Sequence, residues 1–309
     1  MTAQKEIERC VFCEGRCEQR YRMEEFEIWQ CKNCGTGRAW PPPPPETLRE
    51  FYDGFLKGLT AELLPRFISA GRLLYRDLGL RPEGGLRMLD VGGGGGFFAK
   101  VFEELGYGSS TYVDLDPEST AFARDTLGLR DAVNADAGTA STVVKGLFDF
   151  VYCRHVIEHL ADPTTFMRGL LSVVNAGGLC VVQCPNGASL EYFAYPWSSL
   201  RNRLSRIRRA NGYSRTRVLS LALSGCMLHG MDPPRHLWAI TKRGMLAWAR
   251  RSGVSCRTYM RHLGNLAYSP HYRPKDTFRG RLSDFLGQRV LSPIHGGTHL
   301  VAILRKEDA

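Results

Sequence analysis

Five consecutive glycines at residues 92–96 follow an apolar segment that contains Asp90. Glycine lets the backbone turn sharply and approach a ligand closely, because no Cβ stands in the way. The predicted helix at 97–105 offers its N-terminal amides to negative charge. Asp114 ends the next predicted strand, where a carboxylate can accept hydrogen bonds from both ribose hydroxyls. This spacing predicts a nucleotide-type cofactor site.

Four cysteines near the N-terminus have the spacing of metal ligands. They form two C-x2-C pairs, separated by seventeen residues: Cys10 with Cys13, and Cys31 with Cys34. This pattern suits a tetrahedral zinc ion held by two turns of a ribbon. A redox pair and unligated thiols are the alternatives, and Cys17 could replace one of the four. Without metal, residues 1–40 are expected to have almost no core, so zinc binding would supply their folding energy.

Predicted strands and helices alternate around the glycine loop, which indicates a doubly wound, Rossmann-like parallel α/β sheet. The predicted strands are 86–91, 110–115, 132–135, 147–153 and 179–184, followed by 254–259 and 299–304. Asp116 and Asp162 each precede a proline, which predicts two helix starts. We expect the second of these helices to end at Gly177 and Gly178. Asp149 is expected to hold the entrance of its strand.

The chain has a formal net charge of +10, and the excess is local. Residues 187–262 contain fourteen Lys or Arg and two acidic residues. We interpret 187–235 as an inserted helical lid over the C-terminal edge of the sheet. Its arginines could grip a phosphate or form a solvated basic face, and a nucleic acid or an anionic membrane would also fit. These arginines are Arg201, Arg203, Arg206, Arg208 and Arg209.

The segment at 41–83 is expected to connect the ribbon to the sheet. Five prolines at 41–45 predict a semi-rigid spacer, or else a docking ligand for another protein. The apolar spacing of 46–80 predicts helix. No apolar run is long enough to span a bilayer, and the charged N-terminus does not look like a signal peptide, so we expect a cytoplasmic protein. The proposed division is therefore 1–40, 41–83 and 84–309.

The order of these motifs resembles the class I S-adenosylmethionine-dependent methyltransferases over residues 86–306. The likeness rests on the loop from Asp90 to Gly96, on 148–163, on 175–186 and on the segment Pro234-Arg-His-Leu-Trp238. The ribbon and proline linker at 34–52 are similar to those that precede this domain in bacterial enzymes of sugar, polysaccharide and natural-product pathways. The resemblance implies a Rossmann-like methyltransferase domain with a small N-terminal zinc ribbon and the inserted lid.

The resemblance also implies cofactor contacts. Gly92, Gly94 and Gly96 would surround the methionine and ribose parts of S-adenosylmethionine, while Asp90 would tether the loop or meet the ammonium group. Asp114 with Leu115 would bind the ribose, and Asp136 with Ala137 would bind adenine. Tyr52 would close over the cofactor. The alternatives are a helix cap for Asp114, a solvated turn for Asp136 and a core position for Tyr52.

Three histidines are candidate proton acceptors at the methyl-transfer site. His155 and His159 belong to His-Val-Ile-Glu-His, and His236 returns from the lid towards the same edge. An imidazole titrates near neutrality, which suits a general base. The motif also matches the H-x-x-E-H signature of zinc peptidases, but it follows a buried strand without an obvious third ligand. Alternatively, Glu158 and His159 only brace the turn.

We therefore expect methyl transfer to a hydroxyl or carbon of a small-molecule or glycan-type substrate, one that can carry phosphate. The expected cofactors are S-adenosylmethionine and structural zinc. Methylation of RNA is the alternative within enzymes, because the ribbon, the basic lid and its aromatic residues could all serve RNA. A non-catalytic scaffold that binds S-adenosylmethionine is the alternative outside enzymes.

Overall fold

The computed structural model describes residues 7–44, 46–47, 59–190, 197–223, 230–261, 282, 285–291, 293–294 and 296–306. The strands are β1 (Cys17–Met23), β2 (Phe26–Cys31), β3 (Gly37–Trp40), β4 (Leu86–Val91), β5 (Gly108–Asp114), β6 (Asp131–Asn134), β7 (Phe148–Arg154), β8 (Val174–Pro185), β9 (Trp238–Ala239), β10 (Ser255–Arg261) and β11 (His299–Arg305). The α-helices are α1 (Leu64–Asp77), α2 (Phe97–Glu104), α3 (Pro117–Ala121), α4 (Ala140–Val143), α5 (Pro163–Ser172), α6 (Trp197–Asn211), α7 (Arg215–Leu223) and α8 (Lys242–Arg251). Short 3-10 turns cover Ala61–Leu63, Ala137–Thr139 and Ile157–His159, and π-helical turns cover Phe122–Thr126 and Gly287–Leu291.

The larger sheet has the strand order β10-β11-β8-β7-β4-β5-β6. Strands β4 to β8 are parallel, which confirms the predicted Rossmann-like arrangement. Strand β11 runs antiparallel to both β8 and β10, so the sheet is mixed rather than wholly parallel. The antiparallel direction brings the start of β11, at His299, beside Pro185 at the C-terminal end of β8.

The central strands are apolar because helices cover both faces of the sheet. Leu89 and Val91 of β4 are fully buried, as are Val151 of β7 and Val182 of β8. Their parallel direction places the C-terminal ends of β4, β5 and β7 at one edge, where the loops that follow them meet.

Both predicted aspartate caps are present. Asp116 accepts hydrogen bonds from the amides of Glu118 and Ser119, and Asp162 caps α5 in the same way. The predicted end of α5 was wrong, since the helix stops at Ser172 and β8 begins at Val174.

Gly177 and Gly178 lie inside β8 instead of capping a helix. A Cβ on Gly178 would lie 3.1 Å from the carbonyl oxygen of Asp149, so glycine is needed there for close strand packing. Asp149 holds the strand entrance as predicted. Its carboxylate accepts hydrogen bonds from the amide of Arg87 at 2.8 Å and from the side chain of Asn175 at 2.7 Å.

The smaller sheet joins the N-terminal segment to the rest of the chain. Its order is β1-β2-β3-β9, and β9 comes from residues two hundred positions later. Gly37 of β3 pairs with Ala239 of β9, and the Phe12 ring meets the Trp238 ring edge-on at 5.9 Å. The ribbon therefore packs directly on the segment that follows His236.

The basic helix α6 packs on the ribbon. Asn211 accepts a hydrogen bond from the Arg22 amide at 2.8 Å, and Arg206 pairs with Glu24 at 3.0 Å and with Asp232 at 2.7 Å. Arg203 donates to the carbonyl of Met231. Two of the predicted phosphate-gripping arginines thus make contacts within the protein. Arg208 and Arg209 are exposed, and the side chain of Arg201 lies outside the described residues.

Helix is described over Leu64–Asp77 of the predicted 46–80 segment, while 48–58 lie outside the described residues. In the described part of the chain, no helix has the length and apolar character needed to cross a membrane.

Candidate functional site

The glycine loop turns between β4 and α2. Gly92, Gly94 and Gly96 all have a positive φ, a backbone conformation that residues with a side chain rarely adopt. Gly96 is also the residue that precedes α2, so the loop ends at the helix N-terminus. A Cβ on Gly92 would lie 2.2 Å from the Val156 side chain. The loop therefore needs glycine both for its conformation and for space.

Asp90 lies directly beneath the loop and is 1% exposed. Its Oδ2 atom has no hydrogen-bond partner among the described residues, and a Cβ on Gly93 would lie 2.5 Å from it. Burial raises the pKa of Asp90 to about 7, against the lowering effect of the Ala99 amide. A buried carboxylate with an unsatisfied oxygen at the cavity wall can accept a cationic donor such as an ammonium group.

Asp114 ends β5 and faces the loop. Its Oδ2 atom accepts a hydrogen bond from the Gly94 amide at 2.9 Å, and its Oδ1 atom accepts one from the Asp116 amide at 3.0 Å. Burial raises the pKa of Asp114 to about 6, although these amides act in the opposite direction. The helix cap weighed as an alternative for Asp114 is supplied by Asp116. Each carboxylate oxygen of Asp114 keeps a further lone pair for a ligand.

A cavity of about 840 Å³ opens at this edge of the sheet. The predicted cofactor residues Asp90, Gly92, Gly94, Asp114, Leu115, Asp136 and Ala137 all line it. Gly96 lies outside the lining but ends the loop, and Tyr52 lies outside the described residues. Asp136 is exposed and accepts a hydrogen bond from the Gly138 amide at 2.7 Å, so it also has the turn role weighed as its alternative.

Several lining residues were not predicted. Pro42 and Pro43 come from the prolines that were interpreted as a spacer, and Leu59 comes from the segment that was predicted to be helical. His299 lines the cavity because β11 is antiparallel, and its ring meets that of His155 edge-on at 4.9 Å. A helical or strand periodicity carries no signal for these positions, because each depends on contacts distant in sequence.

All three candidate histidines line the same cavity. His155 adopts a positive φ of 55° directly after β7, and its Nδ1 donates to Oε1 of Glu158 at 3.0 Å. Glu158 is fully buried, and its Oε2 atom has no hydrogen-bond partner among the described residues. Burial lowers the pKa of His155, so its imidazole is neutral near pH 7.

His159 and His236 are fixed by backbone carbonyls. Nδ1 of His159 donates to the carbonyl of Arg235 at 2.9 Å, and Nδ1 of His236 donates to that of Gly230 at 2.6 Å. The two ring centroids are 4.8 Å apart. Burial lowers the pKa of His236 to about 4, which keeps this ring neutral.

The four predicted zinc ligands converge. The sulfur atoms of Cys10 and Cys34 are 3.6 Å apart, those of Cys13 and Cys31 are 3.4 Å apart, and all four lie within 4.8 Å of one another. Tetrahedral zinc with bonds of about 2.3 Å requires sulfur separations of about 3.8 Å. The donor set therefore fits zinc. Cys17 lies beside Cys10, and its hydrogen bond raises the pKa of that thiol, but it is outside the converging set.

Comparisons with known proteins agree on one family. The model for "Methyltransferase domain" matches residues 48–258. The chain is similar to a ubiquinone biosynthesis O-methyltransferase of Xanthomonas axonopodis, with 37% identity over 112 residues, which are 35% of this chain and 46% of that protein. An uncharacterized methyltransferase of Mycolicibacterium gilvum is 29% identical over 184 residues, which are 57% of this chain and 66% of that protein.

Among solved structures, a SAM-dependent methyltransferase from Archaeoglobus fulgidus aligns with a TM-score of 0.48 and 16% identity, over 84% of this chain and 99% of that one. The chain spans about half to two thirds of the length of the curated relatives it matches, at 46% and 66%.

Proposed function

The chain belongs to the methyltransferase-domain family, and we propose that it transfers a methyl group from S-adenosylmethionine to a hydroxyl or carbon of a small-molecule or glycan-type substrate. The observation that carries this proposal is the shared cavity. The glycine loop, Asp90 and Asp114 line it, and we assign them to the cofactor as its first end; His155, His159 and His236 line it as well, and we assign them to the acceptor as its substrate end.

The residues of the first end fit S-adenosylmethionine. The Asp114 carboxylate would accept the ribose hydroxyls, and the unsatisfied oxygen of Asp90 would meet the ammonium group. Asp136 and Ala137 would face the adenine. When bound, S-adenosylmethionine supplies a methyl group already activated by its sulfonium charge. The cavity residues then need mainly to orient the acceptor, which can contribute roughly 7–11 kcal/mol in favourable cases.

His155 is the residue best placed to accept a proton from a hydroxyl acceptor. Its Nδ1 is held by Glu158, so the proton would be taken at Nε2. The buried carboxylate of Glu158 would stabilise the imidazolium that forms, because opposite charges attract strongly where water is excluded. With a carbon acceptor already ionised, the same histidine would only position the substrate.

The substrate end is largely apolar with two cationic side chains. Val156, Leu160 and Leu237 line the cavity together with Arg154 and Arg235. No described residue of α6 or α7 lines it, so an anionic group on the substrate would be recognised by Arg154 and by Arg235, which also pairs with Asp232 at 3.0 Å, rather than by the arginines of α6. We propose an acceptor with an apolar body and, at most, a small anionic group.

Zinc is the proposed structural metal of the ribbon, bound by Cys10, Cys13, Cys31 and Cys34. We retain the division into ribbon (1–40), linker (41–83) and methyltransferase domain (84–309) as a proposal. The ribbon would then support the wall that carries His236, since Trp238 packs on Phe12.

The test uses the intact protein with methyl-labelled S-adenosylmethionine. Calorimetry measures cofactor binding, and label transfer is followed by mass spectrometry in separate pools of small hydroxylated metabolites, glycans, nucleotide sugars and RNA. We expect micromolar-range binding that weakens at least about tenfold in Asp114→Ala, a loss of about 1.4 kcal/mol or more. Equal binding by both forms, or by neither, overturns the proposal. Label appearing only in RNA overturns the substrate class.

A further inference from the structure

The His-Val-Ile-Glu-His motif contributes to a second cluster of metal-ligating atoms that the methyl-transfer proposal does not require. One donor atom each from Glu158, His159 and His236 lies within 4.8 Å of the others. The cluster differs from the set that the peptidase-like spacing suggests, because His155 is replaced by His236 from a segment more than seventy residues away. His159 and His236 line the cavity, Glu158 is fully buried and outside its lining, and the cluster is separate from the four cysteines.

Both imidazoles are held in the form that ligates metals. A carbonyl oxygen can only accept, so the hydrogen bonds to Arg235 and Gly230 require a proton on Nδ1 of each ring, which leaves Nε2 as the nitrogen that can ligate a metal. Fixing a histidine through its other nitrogen is the usual outer-shell arrangement of protein metal sites.

Glu158 supplies the negative charge that a cation requires. It is fully buried, and its carboxylate accepts a hydrogen bond from Nδ1 of His155. Its Oε1 atom lies 3.9 Å from Nε2 of His159, which is too far for a hydrogen bond. Two ligands with bonds of about 2.0–2.2 Å to one tetrahedral ion would lie about 3.4 Å apart, so a shift of about half an ångström would bring these two atoms to ligand separation.

The backbone holds these groups together. The amide of Leu237 donates to the carbonyl of Glu158 at 2.8 Å, and Asp232 and His236 form an antiparallel bridge. These backbone contacts fix the turn at 157–159 relative to the segment at 232–238, which lowers the entropic cost of binding an ion.

We propose that Glu158, His159 and His236 bind a divalent transition-metal ion of the zinc, cobalt or manganese type. Two imidazoles and one carboxylate suit this class and leave coordination positions open towards the cavity. The role of the ion in catalysis rests on the proposed function: it would take an oxygen of the acceptor and lower the pKa of its hydroxyl. This gives His159 and His236 a ligand role in place of direct proton transfer.

Metal binding is tested without methyl donor or acceptor. A negative result would therefore rule out the metal site and leave the proposed methyl transfer untouched. Chelator-treated full-length protein is titrated with Co²⁺, and bound metal is counted by mass spectrometry. We expect two ions per chain, one with thiolate-to-cobalt charge-transfer bands and one without. His236→Ala and Glu158→Gln should lose the second ion, with affinity falling at least about tenfold, and should keep the thiolate bands.

His299→Ala is the matched control, because His299 lines the same cavity outside the ligand set. It should keep both ions. Thermal melting identifies any variant that fails to fold, and Glu158→Gln, which preserves shape, then decides the result. A parent protein that binds no ion other than the one with thiolate bands, or a folded His236→Ala that still binds an ion without them, overturns the inference. Calorimetry with S-adenosylmethionine on the same samples reports the cofactor site independently.

Discussion

Asp114 and Gly94 are joined by a hydrogen bond of 2.9 Å from the glycine amide to the carboxylate. The acid at the end of β5 therefore holds the loop that follows β4, in addition to its proposed contact with ribose. Because burial raises the pKa of both Asp114 and Asp90, the charge of this wall depends on pH near neutrality.

Affinity for S-adenosylmethionine should consequently fall as the pH is lowered. The pKa values of about 7 for Asp90 and about 6 for Asp114 mean that both are mostly ionised at about pH 8 and protonated at about pH 5. A protonated carboxyl no longer attracts the cationic cofactor, so the dissociation constant should rise at least about tenfold over this range. Calorimetry across the range measures it, with Asp114→Asn as the comparison.

Asp114→Asn should bind more weakly at high pH and should show a shallower pH dependence, because one titrating group is gone. A dissociation constant that is flat from about pH 8 to about pH 5 in the parent protein would contradict the assigned role of these carboxyls.

Gly92→Ala should weaken cofactor binding at least about tenfold, or about 1.4 kcal/mol. Its Cβ would lie 2.2 Å from Val156, so either the loop or the neighbouring cavity wall must move. Gly106→Ala is the control, since Gly106 also has a positive φ of 76° but has nothing within 4 Å of its Cβ position. The control should lose about 1 kcal/mol of stability and bind the cofactor normally. Similar affinities in the two variants would show that the space at Gly92 does not matter.

The sequence predicts well which residues around the glycine loop line the cavity, because the signals for them are local. The first strand, the glycine loop and the acidic residue at the end of the next strand all lie within 25 positions. Each cysteine pair spans only four residues. The parallel strands around them are recognisable because buried strands are apolar. Their identity needs no knowledge of distant contacts.

The acceptor end was predicted only in part, because it is assembled from distant segments. His236 meets His159 through pairing of the chain at 232–238, and His299 arrives by the direction of β11. Arg206 lies in an arginine-rich segment, which in the sequence looks like a phosphate-binding site. In the structure its charge is neutralised by ion pairs with Glu24 and Asp232. Charge counted along a sequence does not reveal such pairing.

Arg206→Ala should lower stability and leave substrate recognition intact. Arg206 is 27% exposed and forms ion pairs with Glu24 of the ribbon and Asp232 beside the returning segment. We expect the free energy of unfolding to fall by about 1 kcal/mol, with Arg208→Ala, at an exposed position of the same helix, within about 0.5 kcal/mol of the parent. Chemical denaturation measures both. If KM increases and the free energy of unfolding does not change, Arg206 binds the substrate and the structural role is wrong.

Cys31→Ser should remove the ribbon metal and lower the melting temperature. Binding of structural zinc is worth on the order of 10 kcal/mol. The expectation of almost no core without metal was wrong, because Phe12, Met23 and Ile28 of the ribbon are fully buried, so we expect partial rather than complete loss of structure. Metal analysis should show the loss of one equivalent, while Cys256→Ser, a half-buried cysteine of β10, should keep the parent content. Because β3 pairs with β9 next to His236, loss of the ribbon should reduce kcat/KM more than cofactor affinity. If Cys31→Ser retains its metal and its activity, the four sulfurs do not form the proposed site.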